Sequence, residues 1–499
     1  MPTHFENLLK YMSNISHYET ASLYDDITSD KFVRYDTERC LCYYFDTDTA
    51  LWGEVGVNFI SMKIHRLLRP KIIKRISKIT NIIAKISDDK ESKLINDELK
   101  KIKGLLKSID TNSFIISTAR EYIKLLKTEI LEFNTDPDVV HFTNGTYDLI
   151  HQRFRKRQPK DYASKCLSFE YKDKAKKRHI EKIYKIFHQI NNDDEKQTTF
   201  KLSFYAYCLT GRTEAKKMLY NIGHLASNGK STEFHIMESC FPIYVNKIDR
   251  DTFNSNYTKR HKVFASIKAP VRMIFIEEMK EKLLDITALK DFIDGGKNMN
   301  EVLFGTTINI EIQAKITVAG NSDPNFRNDR GISRRGYLVY HNNEFVEAHK
   351  YKKDVKGLYL QDETLIDLFK KDSYKLALFH LLIPYINAMY EKKKYRNNII
   401  NTNIPLKNFK DLCEENDKFK QFIDNFIIKT GNIKDRMSKD EIVNLFNSKN
   451  KTYLTWQHLR NDIKRLGLTY DKAVRCNGIR GCIVGVKVND DDSDNEFSD

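Results

Sequence analysis

Residues 218–232 read MLYNIGHLASNGKST. Apolar residues of strand character run into a loop, and Gly229-Lys230-Ser231-Thr232 then opens a helix. A strand, a loop and a helix start, in that order, form a cradle for a triphosphate. Backbone N–H groups and the helix N-terminus face the phosphates, the lysine reaches the β and γ oxygens, and the next hydroxyl holds Mg2+. On this reading Gly223, Ser227, Asn228, Gly229, Lys230, Ser231 and Thr232 bind ATP, with Ser231 also on the metal. One position departs from the GxxxxGK[ST] pattern: His224 stands where the first glycine belongs, and Gly223 falls one place early. GKS triplets also arise by chance in basic chains, so the loop alone does not decide the fold.

Three stretches downstream bear on it. VRMIFIEEM (271–279) is an apolar strand ending in Glu277-Glu278. Two acids at a strand end suit a metal ligand, Glu277, and a group that polarises water, Glu278. The alternative is an ordinary charged junction between strand and helix. KITVAGNSDP (315–324) is a second buried strand, ending in Asn321, whose amide can sit between the acids and a γ-phosphate. Asn-Ser-Asp-Pro is equally a good turn. NDRGISRRGYLVY (328–340) sets Arg334 and Arg335 before a third apolar run, where an arginine can reach a neighbouring subunit's ATP. A solvated basic turn is the plain alternative. Taken together and in this order, the four elements are the parts of a ring ATPase.

Around them, residues 217–345 alternate strand-like runs with polar helices, the texture of an α/β nucleotide-binding domain. Upstream, two isoleucine- and leucine-rich stripes at helical spacing, 72–86 and 94–109, predict a helical hairpin turning at Ser87-Asp88-Asp89. CLCYYFDTDTALWGEVGVNFIS (40–61) predicts a short strand, a turn at Asp46–Thr49, then a helix start. VVHFTNGTYDLI (139–150) predicts two strands about Asn144-Gly145. Residues 346–400 read as helical, and 410–488 as three helices followed by a hairpin, RCNGIRGCIVGVKV.

The chain has 499 residues with Lys and Arg at 84 against 68 Asp and Glu, a net charge of +16. That sign favours a polyanionic partner through counterion release, although a lysine-rich surface also serves solubility. Residues 489–499 carry six acids and no base, the pattern of a solvated tail or of a competitor for a basic groove. The eight cysteines show no CxxC pair, which argues against a zinc site. With no signal peptide and no long apolar run, the expectation is a soluble protein of the host cytoplasm or a viral factory, without a membrane partner.

The order of motifs resembles that of superfamily three helicases, and more narrowly the poxvirus-type primase-helicases of large DNA viruses, phages and plasmids. Their phosphate loop reads roughly GxxxNGKST, matched by Asn228 to Thr232. LKDFIDGGK (289–297) is similar to their LKxLxGGD element, and NGTYDL (144–149) followed by QPKDYASKCLSFEY (158–171) to their upstream NG-x-x-DL region. CYYFDTDTALW and the helices after it resemble the domain ahead of the motor, and 410–488 the closing winged helix. Lys297 stands where the family has an acid, and Glu301 where it has arginine.

The resemblance implies a multi-domain α/β protein. A mostly helical, mixed domain covers 1–215, an AAA+-like P-loop motor 216–345, a helical connector 346–409, a winged helix 410–488 and an acidic tail 489–499. It implies ATP and Mg2+ as cofactors, single-stranded and forked DNA as partner, a homo-oligomer of hexamer type, and a separate primase and polymerase. Lys290 and Lys297 in the motor, with Arg460, Lys464, Arg465, Arg475 and Arg480 at the C-terminal end, are the expected nucleic-acid contacts. Two other readings compete. One is an origin binder or loader of the same descent with a weakened ATP site, favoured by His224. The other is a small-molecule kinase, which the positive charge and the C-terminal module disfavour.

Overall fold

The structure is a computed structural model. It describes Phe5, Leu9 and residues 14–489, apart from 29–32, 38, 85–88, 127, 268, 280–283, 296–299, 304–305, 310–311, 324–329 and 452. At its centre lies a five-stranded parallel sheet. Its strands are β1 (Met218–Ile222), β2 (Val245–Lys247), β3 (Met273–Glu277), β4 (Lys315–Gly320) and β5 (Gly336–Tyr340), in the spatial order β5-β1-β4-β3-β2. The apolar runs read from the sequence become β1, β3, β4 and β5, because a parallel sheet is covered on both faces and its strands need no polar side. Leu219, Phe275, Ala319, Tyr337 and Val339 enter one core, while Tyr220, Ile274, Ile276, Ile316, Val318 and Leu338 enter the other.

The first of these cores is not confined to the expected motor segment. It takes in Phe142 and Tyr147, residues of helices α1 (Lys177–Ile190) and α2 (Glu195–Leu209), and Leu378 and Leu382 of helix Asp372–Met389. A domain boundary at 215 therefore falls inside one hydrophobic core. Two buried cations that bond to carbonyls across residue 215 show the reason, and a third acts within the region before it. Arg272, before β3, donates to Leu209 O at 2.6 Å and Asp136 O at 2.9 Å. Lys315, at the start of β4, donates to Thr210 O and Gln313 O, and burial pushes its ammonium down to about 7. Arg157 donates to the carbonyls of Phe142, Gly145 and Thr49. Arg272 and Lys315 thus cross-link the central sheet to segments before residue 215, while Arg157 ties Thr49 to the strands about Asn144-Gly145 within that region.

The N-terminal region has a core of its own, formed by helices His17–Thr28, Val57–Ile83, Asp89–Ile109 and Asn112–Leu125 against a four-stranded sheet. The helical hairpin is present, with the expected Ser87-Asp88 end of its turn outside the described residues. The predicted helix start after Asp46–Thr49 is corrected: Leu51–Val55 is a strand paired antiparallel with Leu41–Asp46, and the helix begins only at Val57. Trp52 explains the extension, because its indole N–H donates to Pro159 O and its backbone N–H to Ala163 O, each at 2.8 Å. The strands about Asn144-Gly145 form as read. A side chain at Gly145 would come within 2.6 Å of Arg155 O, and Asn144 bonds both the N–H and the carbonyl of Tyr171.

Helix Asn403–Glu415 packs on β5 through Phe409, whose ring leaves no room for a Cβ at Gly336. A boundary at 410 thus cuts one helix. The last core begins at Phe419 and is built by helices Lys418–Phe426, Lys439–Asn450 and Trp456–Arg465 with the hairpin Thr469–Cys476/Ile479–Val484. Strand Arg436–Ser438 pairs with the inner arm of that hairpin. Among the described residues, no helix is long and apolar enough to cross a membrane.

Candidate functional site

Three neighbouring strands, β1, β4 and β3, end side by side, and the crevice beyond such ends is where open α/β sheets bind ligands. The loop after β1 turns through left-handed backbone at Ser227 and Gly229 (φ 58° and 83°), then enters helix α3 (Lys230–Cys240). At Gly223 a side chain would run into the Asn228 amide and meet Lys230 Nζ at 2.8 Å. His224 takes no left-handed φ, and its half-exposed ring lies beside Tyr340 and Asp323. The glycine this loop requires is therefore Gly223, which accounts for the apparent shift in the motif. Asn228 donates to Leu225 O at 2.6 Å and closes the loop on itself. Ser231 and Thr232 lie half-buried on the first turn of α3.

Lys230 is buried, and its Nζ donates to Gly223 O at 3.1 Å and Asn321 Oδ1 at 3.2 Å. Desolvation lowers its pKa, with Glu278 opposing. The Asn321 amide donates in turn to Glu278 Oε1 at 2.7 Å. Glu278 holds a left-handed φ of 49° while its N–H donates to Ala319 O at 2.8 Å. Such a conformation is costly for a residue with a side chain, and the sheet holds it in place. Glu277 Oε1 lies 3.5 Å from Ser231 Oγ, the donor of its hydrogen bond, and Oε2 lies 2.5 Å from Lys247 Nζ. That lysine, at the end of β2, is the main cause holding the Glu277 carboxyl below its usual range. Lys230, Ser231, Glu277, Glu278 and Asn321 are thus brought together. Lys247 was not read from the sequence, because only the adjacency of β2 and β3 puts it there.

The two arginines part company. Gly336–Tyr340 runs in register with Met218–Ile222, so Arg334 lies at the opposite end of the sheet from its own phosphate loop, roughly 15–20 Å away. Arg334 is exposed, and its carbonyl accepts from Lys217 Nζ. Burial and the cations Lys410, Arg335 and Arg334 push the Lys217 ammonium down to about 8. Arg335 is corrected. It is buried, forks onto both oxygens of Asp294 at 3.0 and 2.6 Å and bonds Gly331 O, so it cannot reach a neighbour.

Lys290 lies half-buried on helix Ile286–Ile293, whose following residue is that same Asp294, and Lys297 is outside the described residues. In the C-terminal module, Arg460, Lys464, Arg475 and Arg480 are exposed or half-exposed. Arg465, expected as a nucleic-acid contact, is engaged within the module: it bridges Asp417 at 2.7 Å and Asp462 at 2.9 Å and ties two helices together.

Residues 21–189 match a family model described as D5 N terminal like. The matched segment includes both CYYFDTDTALW and NGTYDL. Among solved structures, the apo C-terminal region of NrS-1 (305–718) is 10% identical over 94% of this chain and 99% of that one, with a TM-score of 0.45. The A form of the same apo region gives 10% identity, 93% and 98% coverage, and a TM-score of 0.44. No curated protein matches the chain.

Proposed function

We propose that this chain is an ATP-driven nucleic-acid motor of viral-type replication, an AAA+-like superfamily three helicase working as a ring on single-stranded and forked DNA. The observation that carries the reading is the chain Gly223 O–Lys230–Asn321–Glu278 across the ends of three adjacent strands. It is supported by the N-terminal match and by the strand order, in which the phosphate loop follows β1 and the acids follow β3. The cradle fits a triphosphate: the loop is closed by Asn228, free of a side chain at Gly223, and ends in a helix N-terminus. Ser231 and Glu277 would hold Mg2+, which when bound neutralises charge on the phosphates. Lys230 orients the β and γ oxygens. Glu278 accepts the proton of the attacking water, with Asn321 fixing its carboxylate and reporting the γ-phosphate. Arg334 acts on the neighbour's site.

A loader or origin binder that does not unwind is the second reading, favoured by the Lys247–Glu277 pair, which competes with a metal for the same carboxylate. An ATPase assay with and without single-stranded DNA separates the two. The motor requires turnover that DNA stimulates several-fold, and nucleotide binding without turnover would leave only the loader.

The C-terminal module is read as a winged helix that touches DNA. A helix, a short strand, two helices and a hairpin follow one another, and the hairpin places Arg475 directly across from Arg480. Like charges facing each other destabilise a sheet unless an anion lies between them. Replacing Arg460, Lys464, Arg475 and Arg480 by alanine should weaken DNA binding and flatten its salt dependence. The slope of log K against log salt should shrink by roughly 0.7 for each single-strand phosphate left unneutralised. An unchanged slope in a filter-binding titration would remove this module from the interface.

A further inference from the structure

A buried polar cluster lies behind the phosphate loop. Lys201 of α2 and Glu233 of α3 are both fully buried, with Nζ 2.6 Å from Oε2. The same carboxylate accepts from Tyr205 OH at 2.8 Å and from Asn191 Nδ2 at 2.7 Å. Lys201 Nζ also donates to Asn221 Oδ1, and Asn221 Nδ2 donates to Val318 O at 3.1 Å. Asn221 lies in β1, two residues before Gly223. Glu233 lies one turn into α3, its N–H bonded to Gly229 O at 3.1 Å. Val318 lies in β4, three residues before Asn321. A single ammonium therefore bonds both the strand that enters the phosphate loop and the helix that leaves it.

Stability alone does not account for this. A buried ion pair is generally no more stabilising than apolar side chains of similar volume, because desolvation offsets the attraction. Its hydrogen bonds do fix direction and spacing, which an apolar contact does not. Burial pulls the pKa of Lys201 down, and Glu233 opposes that shift.

We infer that Lys201 is a positioning residue for the phosphate loop: with Glu233 and Asn221 it sets the distance between the loop's two ends, making α2 part of the nucleotide site. The inference rests on the reading of residues 223–232 as a triphosphate cradle. A side chain on Gly229 would meet Ile190 of α1 at 2.8 Å, so the loop is also braced from the same side by packing.

The test compares the wild-type protein with Lys201→Met/Glu233→Leu, an apolar pair of similar volume, and with Asn221→Leu. Thermal melting, binding of a fluorescent ATP analogue with Mg2+, and kcat and KM for ATP are measured on each. The apolar pair is expected to melt below the wild type, since Tyr205 and Asn191 lose their acceptor, but to be folded at assay temperature and to bind nucleotide at least about tenfold more weakly there, since small misplacements of a binding group are costly. Asn221→Leu, which keeps the ion pair, should lose affinity in the same direction. If the apolar pair fails to fold, Asn221→Leu decides alone. A folded variant with wild-type affinity and kcat overturns the inference. A wild-type protein that binds no nucleotide overturns the cradle itself, and is told apart by the same titration.

Discussion

On the proposed function, Lys230→Ala should abolish ATP turnover and leave the chain folded. Among the described residues, the side chain's polar end bonds the Gly223 carbonyl and Asn321, both lining the crevice at the strand ends. Its removal leaves two acceptors to be met by water, at a cost of about 1–3 kcal/mol in stability if they stay dry. Without the ammonium, nothing in the loop's first turn offsets charge on the β and γ oxygens. The Asn321–Glu278 pair also loses the neighbour that fixes its rotamer. Together these should cost on the order of 10²–10³-fold in kcat or more. Lys230→Met, which keeps the stem, separates the two effects: it should melt like the wild type and still fail to turn over. Steady-state phosphate release and a melting curve on each variant check this, and residual turnover above a few per cent would mean that ATP is hydrolysed elsewhere.

Arg334→Ala should bind ATP and hydrolyse it on the order of 10³-fold more slowly, because on the proposed mechanism a fixed cation is lost where negative charge develops. The geometry makes this a test of assembly. Arg334 lies at the far end of β5 from its own loop, so any nucleotide it served would have to belong to another subunit. Mixing Arg334→Ala with Lys230→Ala protein should restore part of the rate, since some interfaces then pair an intact loop with an intact arginine. Specific activity should also fall on dilution to the monomer. Normal turnover by Arg334→Ala, or activity per chain independent of concentration, would end the shared-site mechanism. Arg335 has to be left alone in such an experiment. Removing it strands Asp294 without its fork, and a loss of activity would then report unfolding.

Much of the site was legible because its chemistry is local. A strand, a loop and a helix start are contiguous in sequence, and the acids and the amide sit at the ends of apolar runs long enough to be read as strands. What lay hidden depends on contacts between distant segments. Leu51–Val55 reads as the approach to a helix until Trp52 meets Pro159 and Ala163. Arg334 and Arg335 are indistinguishable in sequence, and only the fork onto Asp294 separates them. Lys201 sits in FKLSFYAY as an odd charge in an apolar helix, and Asn221 as an odd amide in MLYNI. Each was a visible anomaly, since a buried polar group needs a partner, but neither sequence stretch says where the partner is. How the cores share the chain was hidden for the same reason. Helices α1 and α2 precede the central sheet in the chain yet share its core.

Helix Asn403–Glu415 has 13 residues, a rod of roughly 20 Å. One part of it is seated on β5, where the absence of a side chain at Gly336 lets the Phe409 ring lie against the backbone, two residues from Arg334. Its far end runs within two residues into Asp417, which caps the next helix and anchors Arg465. The rod therefore ties the sheet edge to the C-terminal module. About 9 Å of helix lies beyond Phe409, so a tilt of about 10° there would shift the far end by only about 1.6 Å, roughly half of one nucleotide's rise along a strand. A larger residue at 336 would push the Phe409 ring off β5, and the seat of the helix that joins the sheet edge to Asp417 would go with it.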